Sequence, residues 1–303
     1  MIPVLLVVAL IVFALIRFAP GDPAALIVGT HATEEKYEAI REQLGLNRPL
    51  PVQLGIWFKN LFQGDLGESL FGRTAVTEMI ATRIVPTFSL ALLTQAFAVV
   101  LAIPLGIVAA WKANTWIDRG VMIFSTVGYS IPLFWLGFML IWLFAVKADW
   151  FPAAGYVAPS ENLGQFFYRL VLPMLATGLV VMALIARMTR ATMLEVLNED
   201  YIRTARSKGL ADSKVLLAHA LRNAILPIIT VIGITLALLL GGVVVTENVF
   251  AIPGLGRLLV NALSHRDYPV IQGTVLIFAA IIATVNLLID LSYAVFDPRI
   301  RYR

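Results

Sequence analysis

The chain has 303 residues, 59% of them hydrophobic and only 14% charged, against roughly 25% charged in soluble domains, and its mean hydropathy is +0.86. A water-soluble fold of this length could not hide so much apolar surface, so the composition points to a protein embedded in a lipid bilayer. The net charge of +4 is modest and its basic residues cluster beside apolar runs, which speaks against nucleic acid as a partner; the lack of cysteine excludes disulfides, thiolate metal sites and thiol catalysis.

A spanning helix needs about 20 mostly apolar residues. Six runs qualify in chain order: 2–19, 87–111, 121–146, 170–188, 227–246 and 272–296. Only helices or closed barrels satisfy their backbone in lipid, and runs this continuous are not barrel strands, so the expected fold is all-α with six transmembrane helices. The first run has no positive leader and exceeds a usual signal core. Residues 1–19 are therefore expected to remain as the first span.

Residues 20–85 form a separate, organised segment. Thr33 suits an N-cap, Glu34 and Glu35 suit the positive end of a helix, and Gly45 can close it. Next, PVQLGIWFKNLF (51–62) reads either as a helix lying on the membrane or the bundle, or as a docking surface for an external partner. Residues 86–303 hold the remaining five spans.

The third span carries Ser125, Thr126, Gly128, Tyr129, Ser130 and Pro132, a small, polar, kinked patch, and the fifth offers Thr230, Gly233 and Thr235. Ser125, Tyr129, Ser130, Thr230 and Thr235, with Asn286 of the last span, are candidates to line a polar pathway through the bundle. Helix–helix packing is the competing reading, because hydroxyls and small residues also fit membrane helices together. Asn286 and Asp290 share a face, and Asp290, near the inner end, can pair with Arg299.

Between the fourth and fifth spans lies a basic insert, 188–226. Asn198 or Asp200 can cap a short helix over 201–208, Gly209 suits the left-handed position after it, and Asp212 or Ser213 can cap the next helix. Ile202, Ala205 and Gly209 make a narrow small-residue stripe, while Arg203, Arg206 and Ser207 take another face. That stripe would let another protein approach closely; the plainer alternative is a solvated basic loop. Pro227 cannot donate a backbone hydrogen bond and crowds the carbonyl of Asn223, so a kink is expected there.

Charge sets the orientation. With the N-terminus inside, the inside segments hold Lys112, Arg119, Arg187, Arg190, Arg203, Arg206, Lys208, Lys214, Arg222, Arg299, Arg301 and Arg303. The short outside loops hold Lys147, Arg169, Arg257 and Arg266. Short cytoplasmic loops carry the excess of Lys and Arg, so both termini are expected inside, with 20–85 outside.

At the basic insert the chain resembles the inner-membrane permease subunits of ATP-binding-cassette (ABC) importers, whose cytoplasmic loop carries an EAA-x3-G signature followed by I-x-LP. RTARSKG (203–209) is similar to it: Ala205 and Gly209 match, while Arg203 and Thr204 replace the Glu and first Ala, and Pro227 follows at a longer spacing. These departures look like the dipeptide/oligopeptide/nickel branch. RFAPGDP (17–23), QLGLNRPLPVQ (43–53), GDLGES (64–69), ENVFAIPGLGRLL (247–259), RDYPVIQG (266–273) and DPRIRY (297–302) resemble that branch in order. The resemblance implies a type I importer permease in a bacterial inner membrane. It also implies a homologous second permease, two ATP-binding subunits and an extracytoplasmic substrate-binding protein. It makes the short helix a coupling helix, with Tyr201, Ile202, Arg203, Ala205, Arg206, Lys208, Gly209, Leu210 and Ser213 at the ATPase contact and Pro227 as hinge. Di- or oligopeptides are the implied cargo, with glutathione or nickel chelates as alternatives.

Chemistry is expected elsewhere. There is no G-x4-G-K-[ST] phosphate loop, and GLGR (254–257) falls outside the cell. His31, His219 and His265 are too dispersed for a metal site, and no cofactor is implied. An ion-coupled transporter would need buried acids at mid-membrane and an inverted repeat, and neither is visible. A membrane scaffold would need no lever or polar pathway.

Overall fold

The computed structural model describes residues 2–18, 34–43 and 47–296. Thr33, Gly45, Arg299 and the 297–302 motif lie outside the described residues, as does most of 17–23. The described chain is helical, with one isolated bridge, Glu68 to Ala75. In order the helices are α1 (Ile2–Phe18), α2 (Glu34–Gln43), α3 (Leu50–Phe62), α4 (Val76–Trp111), α5 (Trp116–Ser130), α6 (Leu133–Lys147), α7 (Leu163–Leu197), α8 (Asp200–Ser207), α9 (Asp212–Val249), α10 (Leu255–His265) and α11 (Tyr268–Phe296).

The six expected spans need adjustment. Among the described residues four helices, α4, α7, α9 and α11, are long and apolar enough to cross a membrane. The third expected span is a broken pair, α5 and α6, bent by 101°. The break itself starts at Pro132, which withholds a donor and whose ring drives Ile131 out of the helical region, to φ −76° and ψ 127°. The first run forms a 17-residue helix, a little short of a full span.

The chain divides into two units. The first comprises residues 1–85 and 254–283. Its core joins Val76, Ile80, Leu255, Leu258, Ala262 and Val270. Gln272 Nε2 donates to the Val12 carbonyl at 2.8 Å, and Phe13 meets Trp57 of α3 at 5.7 Å between ring centres. Helix α3 therefore packs on its own unit through Trp57 while Ile56 and Phe62 stay exposed. Ser69 donates its hydroxyl to the buried Asp267 carboxylate, which also accepts the Leu70 amide at 3.2 Å. Ser69→Ala leaves one carboxylate oxygen short of a partner, at a cost of about 1–3 kcal/mol. Thermal unfolding of the purified protein should show a lower midpoint, and an unchanged midpoint would count against this tie.

The second unit comprises 86–253 and 284–303. Asn162 caps α7 by accepting the Gln165 amide at 2.9 Å. Glycine sets the closest approach of α4 and α7: a Cβ on Gly106 would lie 2.6 Å from Thr189 Cβ and 2.7 Å from the Ala186 carbonyl oxygen. One on Gly178 would lie 2.6 Å from the Phe97 ring. Such small residues let backbones approach where lipid supplies no hydrophobic drive. Helix α9 runs unbroken through Pro227, and its departure from α geometry is a π segment over Val215–Ala220, upstream of the expected kink.

Candidate functional site

Helix α8 is short and polar, and its helical period separates two faces. Ile202 is fully buried and Ala205 nearly so. Both sit in a cluster with Ala110 of α4, Met193 of α7 and Val215, Leu216, Ala220, Ala224 and Ile228 of α9. This corrects the expected role of the stripe: Ile202 and Ala205 anchor α8 to the ends of three longer helices and are not offered to another protein. Leu210, half-buried, packs on the same cluster. The outward face carries Tyr201, Arg203, Thr204, Arg206, Ser207 and Lys208, with Ser213 beyond it, all exposed.

Gly209 follows α8 at φ +76°, the left-handed position expected of it, with nothing within 4 Å of an added Cβ. Capping differs from expectation. Glu199 precedes α8 without a side-chain cap bond, Asn198 instead closes α7 and donates to the Leu194 carbonyl at 2.9 Å, and Ala211 precedes Asp212. Arg203 and Asp200 pair at 3.3 Å on the exposed surface, where such pairs contribute little.

A buried ion pair stands near this cluster. Arg190 of α7 meets the Asp118 carboxylate of α5 through both Nε and Nη2, the latter at 2.7 Å. The Asn114 amide adds a bond to Asp118 Oδ2 at 2.9 Å. Asp118 is 3% exposed. Together with the Gly106 contact, this ties the end of α4 and the start of α5 to α7. Sequence reading counted Arg190 only as orienting charge and passed over Asp118.

The pathway candidates do not form one group. Tyr129 and Thr235 line a cavity of about 230 Å³, beside Leu133, Thr177, Leu238 and Gly242. Thr235 also accepts Gln95 Nε2 at 3.1 Å. Ser125 is buried, and its hydroxyl has no hydrogen-bond partner among the described residues. Ser130 and Thr230 return their hydroxyls to the Thr126 and Leu226 carbonyls at 2.7 and 3.0 Å, which fits a packing role. Asn286 and Asp290 are exposed.

Sequence reading missed Thr177, which shares a 2.7 Å hydroxyl bond with Thr246. It also missed Glu247, fully buried and accepting the Thr87 hydroxyl at 2.6 Å. A buried acid therefore exists, within the last turn of α9, although none was visible in the sequence.

The family described as "Binding-protein-dependent transport system inner membrane component" matches residues 102–302, and its N-terminal counterpart matches 1–91. A probable peptide ABC transporter permease of Sinorhizobium fredii is 45% identical over 99% of this chain and 96% of that protein. The dipeptide transport system permease DppB of Alkalihalophilus pseudofirmus is 41% identical over 100% and 97%. The glutathione transport system permease GsiC of Pectobacterium atrosepticum is 44% identical over 100% and 96%. Among solved structures, the inward-facing MetNI methionine ABC transporter matches with a TM-score of 0.62 at 17% identity, over 72% of this chain and 96% of that one, a likeness of fold.

Proposed function

This chain belongs to the inner-membrane component family of binding-protein-dependent transport systems, and on that premise we propose that it forms, with a second homologous permease, the route by which peptides enter the cell. It is a multi-pass permease subunit of an ABC importer. Relatives named for peptide and dipeptide transport at 41–47% identity support the peptide cargo. The glutathione permeases at 43–44% support a second reading in which the cargo is that peptide-like conjugate.

The observation that carries the coupling role is the division of α8. Its apolar side is anchored to α4, α7 and α9, and its polar, cationic side is bare. In this reading both termini lie in the cytoplasm, 1–19 is the first span, and 20–85 and 247–270 face an external binding protein. The core of 86–303 carries the route, and of the two ATPase subunits one seats the outward face of α8, including Tyr201, Arg203, Arg206, Lys208, Gly209 and Ser213. ATP hydrolysis belongs to those subunits. Because Ile202 is held by residues from three helices, a displacement of α8 moves those helix ends together. Pro227, with the π segment before it, is where α9 yields.

The test is reconstitution. Vesicles carrying both permeases and both ATPase subunits should take up labelled dipeptide only when ATP is inside the cytoplasmic-facing compartment and the binding protein is on the opposite side, with unlabelled glutathione as competitor. Uptake driven by an ion gradient without ATP would overturn the reading.

A further inference from the structure

We propose that the cavity beside the Ile131–Pro132 break is a subsite for an apolar side chain of the passing peptide. The inference rests on the peptide reading above and adds that the permease itself, and not only the receptor, discriminates among cargoes.

The break lies between two apolar arms, fifteen residues in α5 and fifteen in α6, so it falls near the middle of the stretch. Pro132 has no N–H to give the Gly128 carbonyl. Backbone left unpaired at membrane depth is tolerated only where protein buries it or a water-filled cavity bathes it. In secondary transporters, discontinuous helices of this kind carry the substrate site. At the break Tyr129 is 63% exposed, and the cavity opens beside it. The mouth is shared by Tyr129 and Leu238, and the floor by buried Thr177 and Thr235, with Gly242 on the wall.

Size decides the occupant. A pocket for a whole drug-sized ligand runs to about 300–1,000 Å³, above the 230 Å³ here. An apolar cavity of about 150 Å³ takes benzene. The space suits one large apolar side chain, with the peptide backbone left at the Tyr129 mouth. Glycine at position 242 keeps it open: an added Cβ would lie 3.6 Å from Leu133 Cδ2, ordinary contact that a larger side chain would extend into the cavity.

The experiment uses the reconstituted complex with its binding protein and measures uptake of Ala-Ala and Phe-Ala. The ratio of the two rates in each variant is divided by the wild-type ratio, which cancels the receptor's own preference. Gly242→Leu should lower Phe-Ala uptake at least about tenfold relative to Ala-Ala, the scale on which an apolar pocket discriminates. The abundance of the variant in the membrane, followed alongside, should match the wild type. Leu238→Trp narrows the exposed mouth without disturbing the packed wall and should shift the ratio in the same direction, which covers failure of the first variant to accumulate. Equal slowing of both peptides, as expected if a lipid chain or the second permease fills the cavity, overturns the subsite alone, and so does an unchanged ratio. A wild-type complex that moves neither peptide overturns the peptide reading and the subsite with it.

Discussion

Asp118→Ala will destabilise the protein by about 3 kcal/mol, the lower end of what breaking a buried ion pair costs. The lower end applies because the Arg190 side chain is 22% exposed. Removing Asp118 leaves the part-buried guanidinium without its carboxylate and strands the Asn114 amide, so both lose their acceptor together. Replacing both partners by leucine removes the charge as well as the bond and should recover most of the loss, since paired apolar groups of similar volume are often no worse than an ion pair. The thermal midpoint in detergent, followed through the full double-mutant cycle, checks this. Additive losses from the two single variants would mean that the pair is not coupled.

The parts of the fold that were legible in the sequence are those fixed by local pattern. The runs at 170–188 and 227–246 were found because lipid-crossing helices are continuously apolar, but their helices extend to Leu163–Leu197 and Asp212–Val249. Polar residues continue a helix without announcing it. Pro132 announced a kink, yet the 101° between its arms depends on what each arm packs against. Gly137 of α6, for instance, seats beside Val249 and Phe250.

Partners distant in sequence were not legible. Asp118 meets Arg190 across 72 positions, and Thr87 meets Glu247 across 160. The apolar run stops at 246, which puts Glu247 outside the span, whereas the helix carries on to Val249. The stripe on α8 shows the same limit from another side. Periodicity found Ile202 and Ala205 correctly as a face, but a face does not say which surface covers it, and the cover came from the same chain.

An apolar stripe given to its own chain leaves cations, Tyr201 and Gly209 for anything that docks from outside. Gly209 is the position where docking can be separated from folding. Its φ of +76° penalises any L residue, by roughly 1–2 kcal/mol, so Gly209→Ala bears that cost alone. Gly209→Trp bears the same cost and adds bulk that meets nothing within 4 Å at its Cβ in this chain.

The decisive measurement is binding-protein-stimulated ATPase activity of the reconstituted complex, with permease abundance in the membrane followed alongside. Gly209→Ala should keep most of the activity, while Gly209→Trp should accumulate as well as the alanine variant and lose stimulated activity entirely. Full stimulated activity in Gly209→Trp would mean that α8 is not the surface the ATPase subunits grip.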